Sequence, residues 1–258
     1  LLVEDNPVNQ RVARDLLTRL GHQVQLARNG REAVDITAEE SFDLVLMDVH
    51  MPVMDGLTAT RIIREREHES GSHIPIVALT AGATVEDREN CLAAGMSSFL
   101  TKPFRAEELF QQVESVAAES LPHTVISITE AADDDRQDEA EPALDWAGAL
   151  RNLDGDEIFL YELIDMFKVQ YPGLLADVEA AVAAGDMDAL RRAAHALKGS
   201  AQVIGARATA VAALNLEGIG REGDQGAAAA ALSELQACLA DLQSAVQDAA
   251  RQRGSAAS

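Results

Sequence analysis

Asp48 closes a short apolar run, Leu44-Val-Leu-Met47, and is followed within a few residues by Pro52 and Gly56. Too brief for a typical helix, the run reads as a strand buried on both faces, which puts Asp48 at its carboxyl end. In an open parallel sheet that edge is where loops converge and ligands gather. Other strand ends deliver Glu4 and Asp5, Thr80, and Lys102 followed by Pro103 to the same edge. Carboxylates meeting there would repel one another and raise a pKa unless a cation stood among them. An all-oxygen site of this kind suits Mg²⁺, which takes one or two carboxylates directly and keeps several waters. A hydroxyl and an ammonium opposite would supply the fixed donors and positive charge that a phosphoryl group needs. Taken singly, the residues have plainer roles: Glu4 and Asp5 as capping charges, Asp48 as a cap or turn start, Thr80 in a strand, Lys102 in a surface ion pair.

A second candidate is His195. In the helix expected from Asp186 to about Ile204, Leu190, Ala193, Ala194, Leu197, Ala201 and Ile204 fall on one stripe at about 100° per residue, and that stripe must face a core. His195 lies opposite it, with Lys198, Gly199 and Gln202 following at i+3, i+4 and i+7 on its own face and Arg191 and Arg192 one turn earlier. A glycine inside a helix costs about 1 kcal/mol relative to alanine. Gly199 therefore needs a reason, and clearing a path to an exposed imidazole is one. The plain alternative is a solvated histidine.

The elements that must position these residues divide the chain in two. Residues 1–118 alternate strand and helix patterns: strands at Leu1–Val3, His22–Ala27, Leu44–Met47, Ile74–Leu79 and Ser98–Thr101, each followed by a helical segment. Pro7 marks the first helix start, with Asn6 or Asp5 as cap. Strand-helix repeats of this kind imply a doubly wound, five-stranded parallel sheet covered on both faces. Residues 119–142 are expected to be a flexible acidic linker, with Asp133, Asp134, Asp135, Asp138, Glu139 and Glu141 against Arg136 alone. Residues 143–252 turn Ala-rich and helical and predict an antiparallel four-helix bundle, with a kink or break at Tyr171-Pro-Gly173.

Composition narrows the function classes. A net charge of -22 over 258 residues argues against binding nucleic acid, whose phosphates need clustered Lys and Arg. No apolar run reaches the length of about 18 residues that spans a bilayer. Cys91 and Cys238 lie far apart without metal-ligand spacing, pointing to reduced thiols in a cytoplasmic setting. The chain opens on Leu1-Leu-Val with no methionine, so a longer product is expected, and an upstream membrane tether stays compatible with a cytoplasmic location.

Glu4-Asp5-Asn6-Pro7, Asp48 with Met51-Pro52 and Met54-Asp55-Gly56, Thr80-Ala81 and Lys102-Pro103 together resemble the receiver domain of two-component response regulators. The resemblance implies that Asp48 accepts a phosphoryl group from a phosphohistidine, that Glu4, Asp5, Asp48 and the main-chain carbonyl of His50 hold Mg²⁺, and that Thr80 and Lys102 bind phosphoryl oxygens. Phe99 matches the family's switch aromatic. Ala194-His195-Ala-Leu-Lys198-Gly199-Ser200, with Ile204-Gly205-Ala206, resembles the histidine-containing phosphotransfer (HPt) domain. That implies a phosphorylated His195, Lys198 balancing phosphoryl charge, Gly199 admitting a receiver, and Gln202 orienting the ring. The implied partners are a histidine kinase, in trans or upstream in the same product, and the receiver of a downstream regulator. The pairing resembles the end of a hybrid sensor kinase, and no nucleotide-binding kinase motif accompanies it. Two rival readings are a docking module without chemistry and an aspartate-nucleophile phosphohydrolase. The latter needs a second acid where His50 stands.

Overall fold

The computed structural model describes residues 1–80, 84–118 and 143–256. The expected linker lies outside the described residues. The first half contains β1 (Leu2–Val3), α1 (Pro7–Arg19), β2 (Leu26–Ala27), α2 (Gly30–Glu39), β3 (Val45–Asp48), α3 (Gly56–Ser70), β4 (Ile76–Thr80), α4 (Val85–Ala93), β5 (Ser98–Thr101) and α5 (Ala106–Ala118). The strands form one parallel sheet in the order β2-β1-β3-β4-β5. The chain leaves β1 for one edge and returns through β3 to build the other, so the crevice between β1 and β3 is the switch point where ligands bind in such sheets. Alternation along the buried strands divides the core. Leu46, Val77 and Leu79 join Val8, Leu16 and Leu109 under α1 and α5, while Val45, Met47, Ile76 and Ala78 join Val34, Ala59 and Ile63 under α2 and α3.

Caps set where the helices start. Asn6 Oδ1 accepts from the Val8 and Asn9 amides with Pro7 inside the first turn, and Asn29, Asp55 and Thr84 do the same for α2, α3 and α4. The second strand is shorter than its alternation suggests. It is an edge strand whose sole neighbour, β1, offers two rungs, Leu2↔Leu26 and Val3↔Ala27.

The second half begins with a short helix that the sequence reading did not separate, α6 (Trp146–Asn152). Then come α7 (Glu157–Ala184), α8 (Met187–Val203), α9 (Arg207–Glu222) and α10 (Gln225–Ala256). These last four form the expected bundle, packed through Leu163, Phe167, Leu190, Leu197, Leu216 and Leu239. The expected break at Tyr171-Pro-Gly173 does not occur, because α7 runs unbroken through Pro172. Pro172 removes one N–H, but both it and Lys168, whose carbonyl loses the partner, are exposed to water. The helix is held from its other side by buried Leu163, Phe167 and Val178.

The two halves are docked. One apolar cluster continues from the α1/α5 side of the sheet into the bundle. Around it, Arg11 pairs with Glu162 at 3.0 Å and Arg19 with Asp156 at 2.5 Å, and both guanidiniums lie over the Phe159 ring. A cavity of about 30 Å³ lies between Asn9, Lys102, Phe104, Leu153, Gly199 and Gln202.

Candidate functional site

The strand ends gather what the sequence placed on them. Glu4 follows β1 and is 1% exposed, Asp48 ends β3 at 3%, and with Asp5 they present carboxylate oxygens within 4.8 Å of one another. Lys102 Nζ bridges Glu4 Oε2 at 2.5 Å and Asp48 Oδ2 at 2.8 Å. Thr80 ends β4 in register with Thr101, and the Lys102 amide donates to the Thr80 carbonyl at 2.7 Å, so these two residues leave adjacent strands side by side. Gly56 tightens the loop after Asp48: a Cβ there would lie 2.1 Å from the Asp48 carbonyl oxygen. The His50 amide donates to Asp48 Oδ1 at 3.2 Å, fixing the residue whose carbonyl the family resemblance assigns to the metal.

Three carboxyl groups share one ammonium, and their protons are held accordingly. Burial pushes Glu4 up to about 8, with Lys102 pulling against it and the Asp48 charge adding to it. Burial and Asp48 raise Asp5 to about 6. Burial works against the charge on Lys102, but Asp48 and Glu4 outweigh it and keep the ammonium protonated. The donor set is all oxygen and its negative charge exceeds what Lys102 offsets. These residues fit a hard divalent cation such as Mg²⁺.

His195 stands on α8 as expected, but it does not face open solvent. Its side chain is 17% exposed. Across the domain junction, the His50 ring lies 5.1 Å from it, centroid to centroid, tilted by 51°. Beside the pair, a groove of about 570 Å³ is lined by Asp5, His50 and Met51 from one half and Arg191, Arg192 and Asp177 from the other. Gly199 lies where α8 meets α1: the nearest atoms to a Cβ built on it are the side-chain nitrogens of Asn9, at 3.3 Å, and Asn6, at 4.0 Å.

One functional candidate was missed. Glu217 on α9 binds His195 Nδ1 through Oε1 at 2.8 Å and Lys198 Nζ through Oε2 at 2.6 Å. An ionised carboxylate only accepts, so Nδ1 carries a proton, and in the neutral ring the lone pair is on Nε2. Burial opposes the Glu217 charge, but the hydrogen bonds and charges of His195 and Lys198 outweigh it and hold the carboxyl at about 2. Lys198 is thereby buried, at 4% exposure. Gln202, to which the family resemblance gives the orienting role, stands about two turns further along α8. Seven residues carry a helix about 10 Å along its axis, and Gln202 lines the small cavity at the junction. The available sequence signal was weak: an acid in an Ala-rich helix, three residues before Gly220.

Residues 1–114 match the model of the response regulator receiver domain, and residues 162–245 match that of the Hpt domain. The chain therefore carries a receiver domain followed by an Hpt domain, the pairing of phosphorelay signalling. Its relatives are hybrid histidine kinases. The sensor protein GacS of Pseudomonas syringae pv. syringae is 35% identical over 80% of this chain and 22% of its own length. The hybrid signal transduction histidine kinase M of Dictyostelium discoideum is 47% identical over 40% of this chain and 4% of its own. The chain thus spans less than a quarter of the length of either. Among solved structures, the receiver domain of the sensor histidine kinase PA1611 from Pseudomonas aeruginosa PAO1, with a coordinated magnesium ion, is 46% identical. It covers 45% of this chain and 94% of that one, with a TM-score of 0.42. Among the described residues no helix is long and apolar enough to cross a membrane.

Proposed function

We propose that Asp48 accepts a phosphoryl group from the phosphohistidine of a histidine kinase and passes it to His195 of the same chain, which hands it to the receiver of a downstream regulator. The observation that carries this reading is the 5.1 Å approach of the His195 ring to that of His50, two residues beyond Asp48. The Asp48 carboxylate oxygen attacks phosphorus, the donor's P–N bond breaks, and the electron pair returns to the donor imidazole. In the second step the Nε2 lone pair of His195 attacks, a P–N bond forms, and the P–O bond electrons return to Asp48. No proton moves in that step. The ring gains positive charge while Nδ1–H stays on Glu217, so a fixed anion faces the charge as it develops.

Glu4, Asp5, Asp48 and the His50 carbonyl would hold Mg²⁺, which supplies charge neutralisation for the phosphoryl oxygens. Lys102 and Thr80 meet the same oxygens from the β4–β5 side. Lys198 stays with Glu217 and balances the phosphoryl charge once it is on His195.

Labelling from a cognate phosphohistidine donor tests the scheme. Asp48→Asn abolishes all label, whereas His195→Gln leaves Asp48 labelled and stops onward transfer. The two sites are told apart chemically, since acyl phosphate is lost in alkali and phosphohistidine in acid. Onward transfer retained in His195→Gln overturns the role of the second domain.

A further inference from the structure

Asn6 uses both ends of its carboxamide, and the two ends serve different domains. Its oxygen caps α1, accepting from the Val8 amide at 2.9 Å and the Asn9 amide at 3.4 Å. Its nitrogen crosses the junction and donates to the Ala196 carbonyl at 3.0 Å and to Ser200 Oγ at 2.7 Å. Asn6 is 4% exposed and Ser200 0%. Ala196 and Ser200 stand one and five residues beyond His195, on the turns of α8 that the receiver meets. The cap fixes the amide plane, so the direction in which the nitrogen points is set by the fold of the receiver and not by the partner.

We propose that the Asn6 carboxamide is a specificity-determining contact for exchange between Asp48 and His195. It admits histidine-bearing helices that present an accessible backbone carbonyl one residue after the histidine and a small hydroxyl five residues after it. An aspartate in its place would cap α1 equally well. It would, however, turn an oxygen toward the Ala196 carbonyl, where two acceptors repel, and leave the buried charge only the Ser200 hydroxyl to accept from across the junction. A bulky residue at position 200 would be refused by the same close approach. This is selection by what is left unpaired as much as by what is gained, and it rests on the phosphotransfer reading above.

The full chain is loaded at Asp48 with acetyl phosphate and Mg²⁺, and the appearance of acid-labile, alkali-stable label at His195 is followed in time. In Asn6→Asp, with Mg²⁺ saturating and transfer taken per Asp48 loaded, transfer slows by about tenfold or more. Asn6→Ser, which keeps a cap but shortens the donor out of reach, slows it by about fivefold. Ser200→Ala, which leaves the receiver untouched and guards against misfolding of the Asn6 variants, slows it less. Combined with Asn6→Ser it adds nothing further, since the two residues make one contact. Transfer at the unaltered rate in Asn6→Asp, or losses that multiply in the double variant, overturns the proposal. Failure of the underlying reading shows elsewhere: the unaltered chain loads Asp48 but never labels His195, which removes this proposal with it.

Discussion

Glu217 holds a ring nitrogen with one oxygen and an ammonium with the other, and its carboxyl is held at about 2 against an ordinary 4.5. A carboxyl whose pKa is lower folded than unfolded adds stability that is complete above the unfolded value and lost as pH falls through the folded one. Melting followed between about pH 5 and pH 2 should therefore show a steeper loss in the unaltered chain than in Glu217→Gln. At neutral pH, Glu217→Gln should keep Asp48 loading intact and slow transfer to His195 by about tenfold or more, because a charge-assisted bond to the reacting ring is lost. The acidic cluster titrates in the opposite sense. Asp5 and Glu4, raised to about 6 and about 8, hold protons that a bound cation must displace. Mg²⁺ affinity should accordingly rise across that interval, with proton release seen by calorimetry in buffers of different ionisation enthalpy. A flat profile would mean that these carboxyls do not receive the metal.

Glu217 reaches His195 because α8 and α9 approach more closely than side chains normally allow. A Cβ on Gly220 would lie 2.8 Å from the Met187 carbonyl oxygen and the Arg191 amide nitrogen, whereas one on Gly218 would meet nothing within 4 Å. The two glycines of one helix thus make opposite predictions. Gly218→Ala should stabilise the bundle by about 0.5–1 kcal/mol through helix propensity and unfolded-state entropy. Gly220→Ala should destabilise it by about 1–3 kcal/mol as the helices are pushed apart, and should slow transfer by moving Glu217 away from the ring. Chemical denaturation and the transfer assay check both. The same comparison explains what the sequence disclosed. The strand ends that carry Glu4, Asp48, Thr80 and Lys102, and the stripe opposite His195, follow from local periodicity, which one chain segment displays on its own. Glu217 depends on a crossing between helices, and no periodicity within α9 reports which residue it sets against position 195. Tyr171-Pro-Gly173 suggested a break for a related reason: proline's local cost is readable, but the packing that keeps α7 continuous is not.

The docking of the two halves was the least legible feature, since it is made by residues whose local roles are already complete: Asn6 as a cap, Gly199 as a gap, Arg11 and Arg19 as surface charges. The two ion pairs at its rim are exposed and contribute about 0–1 kcal/mol each. Salt should therefore loosen the junction only slightly, leaving the buried Asn6 contacts and the apolar cluster to hold it. Covalent connection adds a larger effect, because a tethered partner acts at an effective concentration of order millimolar. Transfer from Asp48 to His195 in the unaltered chain should then be first order and independent of dilution. In a mixture of Asp48→Asn and His195→Gln chains, the reaction must pass between molecules, and its rate should fall in proportion as micromolar samples are diluted. Equal sensitivity to dilution in both cases would show that the observed junction is not the route of transfer. Dilution-independent transfer in the unaltered chain alone also means that an outside receiver can reach His195 only when its own receiver has moved off. Its access should then improve in Asn6→Asp, measured as faster loss of label from His195 to a separate receiver.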